Sequence, residues 1–282
     1  MSYTLKIENK RGEQLSLMPN ANYVAEIRGL ESLGATINTS KAGLMDGSMF
    51  NSSSLNERAV TVTIEPQHPV EANRLKLYRF FQVKQYCKIY YTNGSRNIYI
   101  EGWVEQIEND LFTQSQAVQV SIICPQPFLS GLYYIAADLN RVLSLFQFPF
   151  SIPAEGIEFS RIQKDYMATI TNKGDAETGV EIVITAMGDI VNPVIYNADT
   201  GGSFGVNITM EASDQIRIST VPGDKWVKFV HNGVESNCIN KVMPNPEWFV
   251  LAAGDNIFTY SAADGVEYLA IYFQFKYKYL GV

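Results

Sequence analysis

The sequence predicts a mainly β protein in two domains: an N-terminal β-barrel or sandwich carrying one helix, and a C-terminal β-sandwich. Three observations predict it. Strictly alternating apolar and polar runs recur along the chain, which is the period of a half-buried strand. Turn-forming residues punctuate these runs at short spacing, as in sandwiches and barrels. Only one segment, around residues 69–81, carries a convincing helical pattern. Composition agrees: the 282 residues are 46% hydrophobic and 12% aromatic but only 18% charged. That balance suits strands and broad contact surfaces better than a solvated helical protein.

The first elements are short strands, Tyr3 to Glu8 and Glu13 to Leu17, about a polar turn at Asn9 to Gly12. Residues 29–57 are poor in charge and rich in Gly, Ser, Asn and Met, with an Asp46-Gly47 turn signal. They predict an extended loop without patterning of its own. Arg58 to Glu65 is a strand with Val60, Val62 and Ile64 on one face. The helix follows: Pro69 suits its first turn, Glu71 suits its positive end, and Val70, Leu77, Tyr78 and Phe81 form the stripe that seats it on a sheet. Cys87 to Tyr91 is the next strand. Thr92-Asn93-Gly94-Ser95 then predicts a tight turn of the kind that needs positive φ.

The stretch from Arg96 to Phe128 organises this half of the chain. Ile98, Ile100, Gly102 and Val104 share one face of its first run, opposite Tyr99, Glu101 and Trp103. Val118, Val120, Ile122 and Cys124 share one face of the second. The polar segment Asn109 to Ser115 connects them. Pro125 and Pro127 cannot donate to a ladder and end the second run. This long hairpin closes a first domain at residues 1–128.

Residues 129–166 read as a connecting segment. Ala137 to Ser144 fits helix or strand, and the prolines of Phe146 to Pro153 exclude a helix interior there. That aromatic-rich stretch is expected to pin one domain to the next. The second domain, 167–282, shows strands at Met167 to Thr171, Val180 to Ala186, Val194 to Asn197, Val206 to Glu211, Gln215 to Thr220 and Trp226 to Val230. Trp248 to Leu251, Asn256 to Ser261 and Tyr268 to Tyr279 follow. Asn192-Pro193, Gly201-Gly202, Asn232-Gly233 and Asp264-Gly265 are among the turns between them.

Chemistry is sparse. Two histidines, His68 and His231, lack metal-ligand spacing. Three cysteines (Cys87, Cys124 and Cys238) are neither a disulfide framework nor a zinc set. They fit a chain made in a reducing cytoplasm. No Gly-framed serine, Cys–His pair or phosphate loop is present, so the expectation is a non-enzyme without cofactors. The net charge of −7 argues against a nucleic-acid partner. No apolar run is long enough to span a bilayer, and the N-terminus has no secretion signal. One binding alternative is a carbohydrate-binding sandwich contacting a cell surface, with Trp226, His231 and Trp248 as candidate sugar contacts.

The pattern resembles the distal tail proteins of long-tailed bacteriophages. The resemblance runs through RNIYIEGWVEQIENDLF, the close VQVSIICPQPF at 118–128, Phe146-Gln147-Phe148-Pro149-Phe150, and ITNKGDA at 170–176. Asn192-Pro193-Val194-Ile195-Tyr196-Asn197, Ala253-Gly254-Asp255-Asn256 and the C-terminal YKYLGV continue it. It spans nearly the whole chain. It implies an N-terminal domain that assembles into a ring, usually of six, and a galectin-like C-terminal sandwich projecting outward. It implies a hub at the virion tail tip, assembled in the host cytoplasm. Its partners would be the tail tube protein, the tail-associated fibre or lysin protein and, in some relatives, a receptor-binding protein. A ring needs head-to-tail contacts and covers exposed strand edges. Trp103 and Phe112 in the long hairpin, with Met45 and Phe50 in the Gly/Ser/Met-rich loop, are the interface candidates. That loop is expected to order against a neighbouring copy.

Overall fold

The alternating runs become strands whose buried sets are those the alternation assigns. The structure is a computed structural model and describes residues 3–17, 23–41, 43, 46–110, 116–139, 141–144, 160–163 and 167–282. It divides into two units: Met1–Leu132 with Lys278–Val282, and Tyr133–Tyr277.

Unit 1 contains β1 (Thr4–Asn9), β2 (Gln14–Ser16), β3 (Tyr23–Arg28), β4 (Ala35–Ser40), β5 (Met49–Leu55) and β6 (Arg58–Pro66). Helix α1 (Val70–Phe80), β7 (Tyr86–Thr92), β8 (Asn97–Asn109), β9 (Val118–Cys124) and β10 (Leu129–Gly131) follow. The main sheet runs β2-β1-β7-β8-β9-β6-β3, antiparallel throughout. Its inner face carries Val60, Val62 and Ile64 of β6, Ile98, Ile100 and Val104 of β8, and Val118, Val120 and Ile122 of β9. Register places Ile122 between Val60 and Val104. Each such side chain contributes about 1.5–3 kcal/mol by leaving water.

Helix α1 seats through Leu77, with Phe81 just past its end; Val70 and Tyr78 are only half-buried. Asn73, invisible to a hydrophobic stripe, is the helix's other buried residue and donates to the Gln67 carbonyl at 3.0 Å. Gly102 lies between thiol-bearing strands: a Cβ there would meet Cys124 Sγ and Ile122 Cγ2 at 2.7 Å. The Asn93-Gly94 turn differs from expectation. Neither residue has positive φ, because the Asn93 side chain accepts from the Ser95 and Arg96 amides and holds the loop itself.

Residues 29–57 also depart from the predicted loop. They hold a two-stranded antiparallel hairpin, β4–β5. Polar cross-strand bonds tie it: Thr36 donates to Asn56 at 2.6 Å, and Asn38 donates to Ser52 at 3.0 Å. Alternation fails to reveal such strands because neither face of the hairpin is buried.

The last residues also depart from the sequence reading. The run 268–279 is two strands, Leu269–Phe275 in unit 2 and Lys278–Tyr279 in unit 1. Leu129 and Ser130 of β10 pair with Tyr279 and Lys278. The Arg58 guanidinium explains the hold on this tail. Buried, it donates to the carbonyls of Pro127, Gly29 and Leu280, each at 2.7 Å, and to that of Ser32 at 3.3 Å. Arg96 lies over the Tyr279 ring and donates to the Gly281 carbonyl.

Unit 2 is a sandwich. One sheet has six strands, in the order Ile135–Asp138, Leu269–Phe275, Glu181–Ala186, Gln215–Ser219, Trp226–His231 and Val234–Asn237. The facing sheet has four: Met167–Asn172, Gly254–Ser261, Val194–Asn197 and Ser203–Gly205. Ile182, Ile184, Ile216, Ile218 and Phe273 of the first meet Ile195, Phe204 and Phe258 of the second in one core. Phe258 and Phe273 touch at 5.0 Å between ring centroids. The ambiguous 137–144 stretch resolves as strand, in Ile135–Asp138 and Arg141–Ser144. The expected strand 206–211 shrinks to Thr209–Met210, while Ser203–Gly205 and Val234–Asn237 are strands that the spacing does not announce. The Phe146 to Pro153 segment lies outside the described residues.

Candidate interaction surfaces

Among the described residues no group of three His, Cys, Asp or Glu side chains is placed to hold a metal ion. Burial pushes the Cys87 and Cys124 thiols up to about 12, so neither is a thiolate nucleophile near neutral pH. His231 Nδ1 meets the buried Asp214 carboxylate at 2.8 Å, and its ring stacks on Phe229. Among the described residues no serine, threonine or cysteine side chain is hydrogen-bonded to this imidazole.

The sugar candidates stand on two segments of unit 2. Trp226 and His231 stand on one strand at odd separation and so point to opposite faces. Trp226 lies under Lys228, whose ammonium is 4.7 Å from its ring. Trp248 packs edge-on against Phe204 and is partly buried in the sandwich core.

The exposed apolar surface of unit 1 is concentrated elsewhere. The β4–β5 hairpin exposes Ile37, Met49, Phe50 and Leu55, with Phe50 at 65%. Its sequence explains this: serine, threonine and asparagine fill the positions where a core-forming strand would carry Val or Ile. Interface candidate Phe50 therefore stands on the hairpin, whereas Met45 and Phe112 lie outside the described residues.

Trp103 belongs to a second surface, the outer face of β1, β7 and β8. It is 45% exposed and meets Tyr86 edge-on at 5.7 Å. Register sets Tyr86 opposite Trp103, Lys88 opposite Glu101 and Tyr90 opposite Tyr99. A row of charge thus lies between two rows of aromatic rings. Lys88 bonds Glu101 at 3.3 Å and sits 3.9 Å from the Tyr99 centroid. Burial, with Glu101 beside it, raises the Tyr86 phenol above its ordinary range. Tyrosine and tryptophan on a broad sheet face are residue types enriched at protein contact surfaces. Alternation could have found this face by reading the outward set, Tyr86, Lys88, Tyr90, Tyr99, Glu101 and Trp103, rather than the inward one.

Strand β8 outruns β7. Their pairing ends at Tyr86 and Trp103, with Val104 bonded to Lys84 and Gln85 just beyond. Among the described residues, β8 pairs only with β9 from Gln106 to Asn109, after a bulge between Val104 and Gln106. An open strand edge of this kind is a template for pairing with another chain.

The chain matches no protein-family model, and no curated protein matches it significantly. Solved structures do match over the full length. The crystal structure of the Dit (gp 19.1) protein of phage SPP1, described as a paradigm of the hub adsorption apparatus in phages infecting Gram-positive hosts, is 13% identical. Its TM-score is 0.69, over 99% of this chain and 100% of that one. The phage P2 baseplate in its activated conformation, solved with calcium and with strontium, matches at 11% identity. The TM-scores are 0.53 and 0.52, over all of both chains. The class of fold is therefore the two-part, mainly β architecture of phage tail hub proteins. In particular, this chain has a Dit-like fold along its whole length.

Proposed function

We propose that this chain is a structural hub of a phage tail tip or baseplate rather than an enzyme. Unit 1 assembles copies into a closed ring, six being the expected number. The ring joins the tail tube to the tail-associated fibre or lysin protein. It would be assembled in the host cytoplasm and carried in the virion tail. One observation supports this best. In a chain with the fold of a hub adsorption protein, the β4–β5 hairpin exposes apolar side chains on a ladder with no inward face. Exposed strands of this sort are an aggregation liability unless another chain covers them. In a ring, each hairpin would lie on the next subunit by a heterologous contact that closes by rotation.

The test is solution mass by light scattering, before and after deletion of residues 36–54. The intact chain is expected at about six subunit masses and the deletion variant at one, with its circular dichroism spectrum still that of a β protein. A full-size ring from the deletion variant would remove the hairpin from the interface. An intact chain that stays monomeric at high concentration would overturn the ring itself.

A further inference from the structure

The charges of unit 1 nearly balance in sum. A groove of about 320 Å³ lies between the β1–β2 turn and the second half of α1. Arg11, Lys76 and Arg79 rim it, with Glu13, over a floor of Leu15, Leu77 and Phe80. Glu13 is already engaged by the Asn9 side chain at 2.8 Å. None of the three cations forms an ion pair among the described residues. The helix dipole favours Arg79 at a C-terminal turn. It does not account for Arg11, which stands on a different element. An apolar floor lowers the local dielectric and strengthens any charge pair made above it.

The complementary charges stand on the same unit. The open edge of β8 carries Glu105 and Glu108, both exposed and neither ion-paired among the described residues. Glu108 accepts a neutral bond from Gln106 at 2.8 Å.

We infer that these features are the two halves of one contact: the Glu105–Glu108 edge of β8 in one copy docks into the Arg11–Lys76–Arg79 groove of the next. This rests on the ring reading and deepens it. Each subunit presents one groove and one acidic edge, so the contact is heterologous and is repeated around a closed assembly. Its charges select the partner and set the register, whereas the apolar hairpin supplies buried area.

Charge reversal with rescue by mixing tests the inference. Variant A carries R11E, K76E and R79E; variant B carries E105K and E108K. All five positions are on the surface, and circular dichroism with thermal melting checks that each variant folds. Each variant alone is expected to lose assembly, with apparent subunit affinity down on the order of 100-fold. An equimolar mixture is expected to assemble again, because the acidic groove of A faces the basic edge of B and the reverse. Raising salt from about 0.05 M to 0.5 M should weaken the native assembly in the same direction. Assembly of A or B alone at the native concentration, or a mixture that stays monomeric, overturns the contact while leaving the ring standing. A native chain that never assembles overturns the ring and this contact with it.

Discussion

Two hairpins of unit 1 are built alike and do opposite things. Both β4–β5 and β8–β9 are antiparallel ladders with one register shift, between Asn38 and Thr39 in the first and between Val104 and Gln106 in the second. In β9 every second residue enters the core, and Val118, Val120, Ile122 and Cys124 are fully buried. In β4–β5 no described side chain is buried at all. Backbone pairing is therefore not what separates a scaffold from an arm. The separation comes from what fills one face: valine and isoleucine in one hairpin, serine and asparagine around a few exposed apolar residues in the other. The first is held by its own chain. The second leaves its apolar residues exposed.

Substitutions sharpen that contrast, beginning with the largest effect. Ile122→Ala in β9 should cost about 2–5 kcal/mol, read as a lower urea midpoint, because it opens a cavity among Val60, Val104 and their neighbours. Arg58→Met comes next. It leaves the Pro127, Gly29 and Leu280 carbonyls without their donor and should cost about 3 kcal/mol. In hydrogen exchange, residues 278–282 should lose protection before β6 and β9 do.

The buried thiols give the scaffold a pH dependence that the arm lacks. Folding raises the Cys87 and Cys124 pKa from 9.0 to about 12, so it favours the neutral thiols. Their contribution is complete below about pH 9 and is lost as pH rises toward 12. Urea midpoints measured between pH 8 and 11 should fall with rising pH. Replacing both cysteines by alanine should flatten that slope, and a slope unchanged by the replacement would assign it to other groups. Iodoacetamide should label neither thiol at pH 8 until the protein is unfolded.

The smallest stability changes fall on the exposed surfaces. Trp103→Ala removes an edge-on contact with Tyr86 and should cost about 0.5–1.5 kcal/mol. Phe50→Ser should shift unfolding by no more than about 0.5 kcal/mol. If the hairpin is an assembly arm, Phe50→Ser nevertheless lowers the light-scattering mass more than Ile122→Ala does at equal folded concentration. The reverse order would erase the distinction between scaffold and arm.

Much of the scaffold is legible in the residues. Alternation at 58–65, 97–104 and 118–124 identifies both the strands and their inward faces, since a strand with one wet face has no other stable pattern. Asn232 and Gly233 do adopt positive φ, at 48° and 77°, as a two-residue turn requires. The arm was hidden for the same reason the scaffold was visible: without a buried face there is no period to read. Arg58 was hidden as well. An arginine at the head of a strand looks solvent-facing, and only the folded chain brings the carbonyls of Gly29, Ser32, Pro127 and Leu280 around its guanidinium.

By itself, the sequence determined a two-part β protein with one helix, the inward set of each main strand, and the absence of any recognisable catalytic motif. Those properties follow from local periodicity and residue chemistry, which act over a few neighbouring positions. Tertiary structure decided the rest: the arm at β4–β5, the open edge of β8, the groove where Arg11 meets Lys76 and Arg79, and the return of Lys278–Val282 to unit 1. Each depends on which distant segments share an edge, a floor or a carbonyl, and no spacing along the chain encodes that.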